Sequence, residues 1–239
     1  MLASWAERLL QLQKIDMEIR AMKTRLKLIP TEIENLSRRM KEAAAATEAA
    51  GKKVSDAELS LRKAEGAIAA AEERIRKLKQ QSAMVKKNSE YQAMLAEIEQ
   101  CRGSIGTLEG TVLETMDEIE AARAEYKTVS RERSAEIAAC RQEMLDLRDA
   151  AKEFASEIAA GSEKRKLIRP MINGELLRRY EQLEKTGSGL PAAEVGEDGI
   201  CGNCRLQVTT QDLYDLKAGK ICYCGNCMHI IYSRNVEES

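Results

Sequence analysis

From residue 12 to residue 85 the apolar side chains step alternately by three and four: Leu12, Ile15, Ile19, Met22, Leu26, Ile29, Ile33, Leu36, Met40, Ala43, Thr47, Ala50, Val54, Ala57, Leu61, Ala64, Ile68, Ala71, Ile75, Leu78, Ser82 and Val85. Twenty of these twenty-two positions are apolar, whereas a composition that is 44% hydrophobic would place about ten there by chance. A seam sustained over this length is the a/d pattern of a left-handed coiled coil. At about 1.5 Å per residue the predicted helix is roughly 110 Å long. Pro30 falls inside it, followed by Thr31 and Glu34 in a capping-box arrangement, which predicts a kink or a stop and restart. The seam keeps its phase across Pro30, which favours the kink.

A second seam follows Asn88 and Ser89, through Tyr91, Met94, Ile98, Cys101, Ile105, Leu108, Val112, Thr115, Ile119, Ala122, Tyr126 and Val129. Ser89 and Gln92 read as a capping box, so the turn is placed at residues 87–89 and the two helices fold back as an antiparallel hairpin. In that pairing the small residues Ala43, Ala50, Ala57, Ala64 and Ala71 face the stretch from Ile105 to Val129, large against small. The seam resumes at Ile137, eleven residues after Tyr126, a stutter that unwinds the supercoil without breaking the helix. Cys101 and Cys140 sit on the seam and read as small buried hydrophobes.

Gly161 and Ser162 mark the expected end of the second helix, and a shorter third one follows Pro170 through Leu176, Leu177, Tyr180 and Leu183 to Gly187. Gly187, Ser188, Gly189 and Gly196 read as a linker. Beyond Gly199 come two short β-prone runs, Leu206 to Thr209 and His229 to Tyr232. The expected organisation is therefore mainly α: a coiled-coil hairpin over 1–160, a third helix and linker over 161–198, and a small β ribbon over 199–239.

Composition agrees with long helices more than with a packed globule: 32% charged residues, 3% aromatic and three prolines in 239 residues. A formal net charge of −1 gives the whole chain no pull on nucleic acid or anionic membrane. No run approaches the length of a membrane span and the N-terminus does not resemble a signal sequence, so a cytoplasmic protein is expected. Seven cysteines in such a compartment favour metal thiolates over disulfides.

Four of those cysteines form two C-x2-C pairs, Cys201 with Cys204 and Cys224 with Cys227, separated by nineteen residues. This spacing suits one tetrahedral zinc, and a tail of roughly forty residues needs such a staple because it buries too little apolar surface by itself. Four thiolates saturate the metal and leave no position for an activated water. One structural Zn2+ is expected, with no catalytic residues.

Four stretches, LLQLQKIDMEI at 9–19, VKKNSEYQAMLAEIE at 85–99, GELLRRYEQL at 174–183 and CGNCRLQVTTQDLYDLKAGKICYCGNCMHIIY at 201–232, resemble a bacterial family of coiled-coil proteins with a C-terminal four-cysteine zinc ribbon. The resemblance implies a hairpin with the ribbon at the end away from the turn. It also implies a chaperone-like regulator of protein partners, namely the sigma-54 transcription factor and flagellar or type III secretion components, with RNA binding also proposed for the family. The family continues its second knuckle with Gly-Arg, where this chain has Met228-His229, losing the residue best suited to positive φ and a phosphate-gripping arginine. Cys222 is a second departure. It competes with Cys224 as a ligand, and the matched two-residue spacing of both knuckles favours Cys224.

His229, the sole histidine, has no serine, carboxylate pair or second histidine placed to cooperate with it, and reads as a strand residue. Nucleic-acid binding draws on Arg74, Arg76, Lys77, Lys79, Lys86 and Lys87, a stretch without an acidic residue at the expected hairpin tip. Base-stacking aromatics are missing there except Tyr91, so docking of the tip on an acidic protein surface is the stronger expectation. A weaker basic group, including Lys164, Arg165 and Arg178, lies near the third helix, whereas the ribbon carries four basic and four acidic residues. Gly103, Gly106 and Gly110 share the outer face of the second helix and would admit a partner helix closely. The sequence leaves open whether hairpins dimerise. It supports a non-enzymatic adaptor, with an RNA- or DNA-binding protein as the alternative.

Overall fold

In the computed structural model, residues 2–187 and 189–234 are described. Two helices of nearly equal length dominate, α1 (Ser4–Ser82) and α2 (Asn88–Ile168), followed by a 3-10 turn (Arg169–Met171) and α3 (Gly174–Thr186). The remaining elements are β1 (Ala192–Glu194), α4 (Thr210–Lys217), β2 (Cys222–Tyr223) and β3 (Ile230–Tyr232). The chain divides into two compact units, one of residues 33–145 and one of residues 1–32 with 146–239.

In the 33–145 unit the coiled-coil hairpin is antiparallel. Lys53 pairs with Glu125 at 2.8 Å, Arg123 with Glu58 at 2.6 Å and Arg39 with Glu136 at 3.2 Å, each step forward on α1 meeting a step back on α2. The alanine-rich part of the seam is inside: Ala43, Ala50 and Ala64 are buried, as are Ile98, Thr115, Ile119 and Cys140 from α2. Thr115 is tolerated there because its hydroxyl donates to the Thr111 carbonyl at 2.7 Å. Gly51 leaves room for the Tyr126 ring, whose Cε2 lies 3.4 Å from where a Cβ would stand. Cys101 is only half-buried, whereas Cys140 is 2% exposed. Gly103, Gly106 and Gly110 have nothing within 4 Å of a hypothetical Cβ, so their outer face is open.

The turn lies earlier than residues 87–89. Helix α1 ends at Ser82 and α2 starts at Asn88, leaving residues 83–87 as the connection. The Tyr91 amide donates to the Lys87 carbonyl, so Lys87 stands where the expected Ser89 cap would be and Ser89 is already helical. Pro30 does not end a helix either. It sits on the exposed side of an unbroken α1, where burial of the continuous seam on both sides of it offsets the backbone bond it removes.

In the other unit, α2 runs past Gly161 and Ser162 to Ile168. Gly161 serves packing, not termination: a Cβ there would stand 3.0 Å from Ile19 Cγ1 of α1. Helix α3 begins after Asn173, whose side chain accepts from the amides of Glu175 and Leu176, and closes on Gly187 at φ 68°. Its Leu176, Tyr180 and Leu183 join Ala6, Leu9 and Leu12 of α1 in one apolar core that also contains Ala192, Ile230 and Tyr232 from the sheet.

The expected linker is largely structured. Residues Ala192, Ala193 and Glu194 pair in parallel with Ile230, Ile231 and Tyr232, and β2 pairs with β3 antiparallel, giving the order β1-β3-β2. A boundary at 198/199 therefore cuts through the sheet. Leu206 to Thr209 forms no strand beyond a single bridge between Ile200 and Gln207, because Thr209 caps α4 by accepting from the Asp212 amide. Ser188 of the expected linker and residues 235–239 of the expected ribbon lie outside the described residues.

Candidate metal centre

Each C-x2-C pair curls because a backbone amide reaches back over it: Arg205 N–H donates to the Cys201 carbonyl at 2.9 Å, and Met228 N–H to the Cys224 carbonyl at 2.8 Å. Both closing residues sit in the left-handed region, Arg205 at φ 64° and Met228 at φ 59°. This is the position where the loss of a glycine was expected to matter, and the chain accepts the strain twice. The knuckles then face each other. Cys201 Sγ lies 3.9 Å from Cys227 Sγ, Cys204 Sγ lies 3.7 Å from Cys224 Sγ, and all four sulfurs fall within 4.8 Å of one another. A tetrahedron with zinc–sulfur bonds of about 2.3 Å has edges of about 3.8 Å, so the donor set fits one such ion.

The electrostatics of the thiols fit the same conclusion. Burial works against a Cys227 thiolate, yet the His229 backbone amide, the Asn203 side chain and the neighbouring thiols donate to it and draw its pKa down to about 6. Cys204 receives help from the Leu206 amide but is pushed up to about 12 by burial and by the sulfurs of Cys224, Cys227 and Cys201. Burial also raises Cys201. Of these three thiols Cys227 alone is drawn toward the thiolate, and a divalent cation is the natural means of ionising Cys201 and Cys204.

Cys222 stands apart from this group. It is buried beside Ile231 and Leu216, with its Sγ 3.8 Å from the Lys220 carbonyl. His229 is also outside the donor set: it is 3% exposed, and its Nδ1 lies 2.9 Å from the Cys227 carbonyl and 3.1 Å from Asn203 Nδ2. Gly202 passes so close to β1 that a Cβ would stand 2.7 Å from the Glu194 carbonyl oxygen, to which its own amide donates at 2.8 Å. Gly225, its counterpart in the second knuckle, has nothing within 4 Å.

Several residues that hold the centre in place carry no motif. The Trp5 indole donates to the Gly219 carbonyl at 2.8 Å, and Arg179 Nη2 donates to the Met228 carbonyl at 2.7 Å. Gln13 Nε2 donates to the Ala192 carbonyl at 3.0 Å while its Oε1 accepts from the Ala192 amide at 2.7 Å. Behind them Asp16, 6% exposed, accepts from Arg165 at 2.7 Å and from the Tyr180 hydroxyl at 3.0 Å. The one sequence signal for these residues was the polar Gln13 and Asp16 beside an apolar seam.

The basic stretch near the turn is less positive than its sequence. Arg74 binds Glu97 across the hairpin at 2.8 Å, Arg76 and Lys77 share Glu73, and Lys87 reaches Glu90 at 3.2 Å. Among the described residues Lys79 and Lys86 alone of the six have no acidic partner. Glu73, Glu90 and Glu97 lie outside residues 74–87, and helical spacing and fold-back bring them in.

A hairpin of two long helices with a four-thiol centre in its C-terminal tail defines the class. The chain belongs to the CT398-like coiled coil hairpin domain family, whose profile matches residues 12–188. Its fold is similar to that of CT398 from Chlamydia trachomatis, with a TM-score of 0.75 at 18% identity over 95% of this chain and 97% of that one. A protein from Mycobacterium smegmatis is comparably similar, with a TM-score of 0.73 at 20% identity over 98% and 100%. A comparison with curated protein sequences finds no match. No helix among the described residues is long and apolar enough to cross a membrane.

Proposed function

We propose that this protein is a non-enzymatic scaffold that binds protein partners, with one structural Zn2+ held by Cys201, Cys204, Cys224 and Cys227. The observation that carries the reading is the closure of the centre: the four sulfurs lie within 4.8 Å of one another, two of the pairs at tetrahedral-edge distances, and could supply every ligand the ion needs. When bound, zinc would neutralise the thiolates and cross-link the two knuckles. It would have no open position for substrate or water, and His229 is turned to the Cys227 carbonyl and Asn203.

Protein binding is favoured over RNA or DNA because four of the six basic residues near the turn spend their charge on Glu73, Glu90 and Glu97. Phosphate binding gains from released counterions in proportion to the charges neutralised, and two uncompensated lysines give a shallow dependence. By the sequence resemblance, the sigma-54 factor and flagellar or type III secretion components are the first partners to test, with cytoplasm as the compartment.

The test has two arms. Metal analysis of the purified chain is expected to give one zinc per chain, and Cys224→Ser is expected to lose it where Cys222→Ser does not. Binding to random RNA and duplex DNA across a salt series, beside binding to purified candidate proteins, decides the partner class. Strong nucleic-acid binding that falls steeply with salt and disappears in a Lys79→Glu, Lys86→Glu variant would overturn the scaffold reading in favour of the alternative.

A further inference from the structure

The hairpin turn concentrates two kinds of unused surface. Met84, the second residue of the five-residue connection, is 76% exposed, and Tyr91 and Leu95, one helical turn apart at the start of α2, are 40% and 36% exposed. Tyr91 continues the seam pattern, but so near the turn no partner residue covers it fully. Three large apolar side chains that are exposed thus fall within twelve residues. Lys79 and Lys86 bracket Met84 in the sequence and are the basic residues near the turn without an acidic partner among the described residues.

We infer that the turn is a docking knob: Met84, Tyr91 and Leu95 enter an apolar pocket of a protein partner whose rim carries carboxylates that meet Lys79 and Lys86. The inference rests on the protein-binding reading and names the partner chemistry. Buried apolar anchors supply affinity, and rim charges supply orientation and association rate. Nucleic acid fits less well. A phosphate backbone offers Met84 and Leu95 no apolar pocket, Tyr91 is a single stacking ring, and two free lysines contact few phosphates.

The test uses the full-length, metal-loaded chain. Random peptides on a display library are selected against it, and the enriched sequences are expected to join Asp or Glu to Leu, Phe or Trp. Binding of one such synthetic peptide should fall about tenfold in a Lys79→Glu, Lys86→Glu variant. It should be lost in Met84→Asp and stay unchanged in Leu113→Asp, a comparably exposed apolar position farther along α2, with the helical circular dichroism of all variants retained. A random single-stranded RNA and vesicles containing phosphatidylglycerol are run beside the peptide. Peptides without acidic residues, or binding that ignores the turn variants, would overturn the knob, as would RNA or vesicle binding that the same variants abolish. If peptides bind and Leu113→Asp is the variant that removes them, the scaffold reading stands and the turn assignment falls. If neither peptides nor any candidate protein binds, both fall.

Discussion

Gln13 forms a closed pair of hydrogen bonds with the backbone of Ala192, donating from Nε2 and accepting at Oε1, so a helix side chain occupies the place of a neighbouring strand along β1. Both groups of Ala192 are buried, and β3 covers the opposite edge of β1. Replacing Gln13 with Leu would leave a buried amide and carbonyl without partners, at about 1–3 kcal/mol for each group. The expected outcome is a clear fall in thermal midpoint for Gln13→Leu. Gln11→Leu, two residues away on the exposed side, should change it little; equal effects would mean that the hydrogen bonds to Ala192 contribute nothing to stability.

Strand β3 ties the four-cysteine cluster to the helices, because its two faces belong to different cores. Ile230 and Tyr232 pack with Leu9, Leu12, Tyr180 and Leu183, whereas Ile231 packs with Cys201, Cys222 and Cys224. Metal removal is therefore expected to loosen more than the knuckles. Hydrogen exchange should show faster amides in α3 as well as in β2 and β3 after chelation, with residues 40–60 and 110–130 unaffected. Protection in α3 that survives chelation would mean that the centre and this helical core fold independently.

The two knuckles have the same sequence, Cys-Gly-Asn-Cys, but unequal surroundings. At Gly202 a Cβ would press into the Glu194 carbonyl at 2.7 Å, and at Gly225 it would meet nothing within 4 Å. Gly202→Ala is expected to weaken metal retention and lower stability by about 1–3 kcal/mol through forced separation of the knuckle from β1. Gly225→Ala should behave like the parent protein in a competition with a chromophoric zinc chelator. The reverse order would contradict the register of β1 against the first knuckle.

Met228 closes the second knuckle at φ 59°, a conformation that costs an L-residue roughly 1–2 kcal/mol and glycine almost nothing. Its side chain is 53% exposed, so little packing is lost on truncation. Met228→Gly is expected to raise the denaturation midpoint of the metal-loaded chain, with the Arg179 bond to the Met228 carbonyl retained. A lower midpoint would place the exposed side chain, not the backbone, in control of this position.

Much of this was legible from spacing alone. The seam from Leu12 onward, the fold-back before the second seam and the four sulfurs are periodic features, and periodicity survives without knowledge of neighbours. What failed was punctuation. Gly161 looked like a helix stop and is packed against Ile19, and Ser89 looked like a cap and is helical. The same letters serve termination and packing, and tertiary contacts decide between them. The basic stretch misled for a related reason: its compensating acids lie beyond the window, on Glu73, Glu90 and Glu97. The parallel pairing of β1 with β3 joins residues almost forty positions apart, and a three-residue strand leaves no period to read.

Tyr180 gives the unit that contains the four-cysteine cluster a pH dependence with a definite sign. Burial, then the charge of Asp16 and the hydrogen bond to it, hold the phenol well above its ordinary pKa of about 10. Below about pH 10 the folded and unfolded chains both keep this proton, so it contributes no slope. Above that value the unfolded chain releases it first. The stability conferred by the neutral, hydrogen-bonded phenol is then lost as pH rises toward the folded value, by up to about 1.4 kcal/mol per pH unit. Tyr180→Phe is expected to be less stable than the parent near pH 7, because Asp16 loses a donor, yet to show a shallower alkaline decline. Tyr232, also raised, is present in both proteins and cancels in the comparison. Urea midpoints of the two proteins between about pH 8 and 11 provide the check, and parallel curves would show that Tyr180 does not carry the linkage.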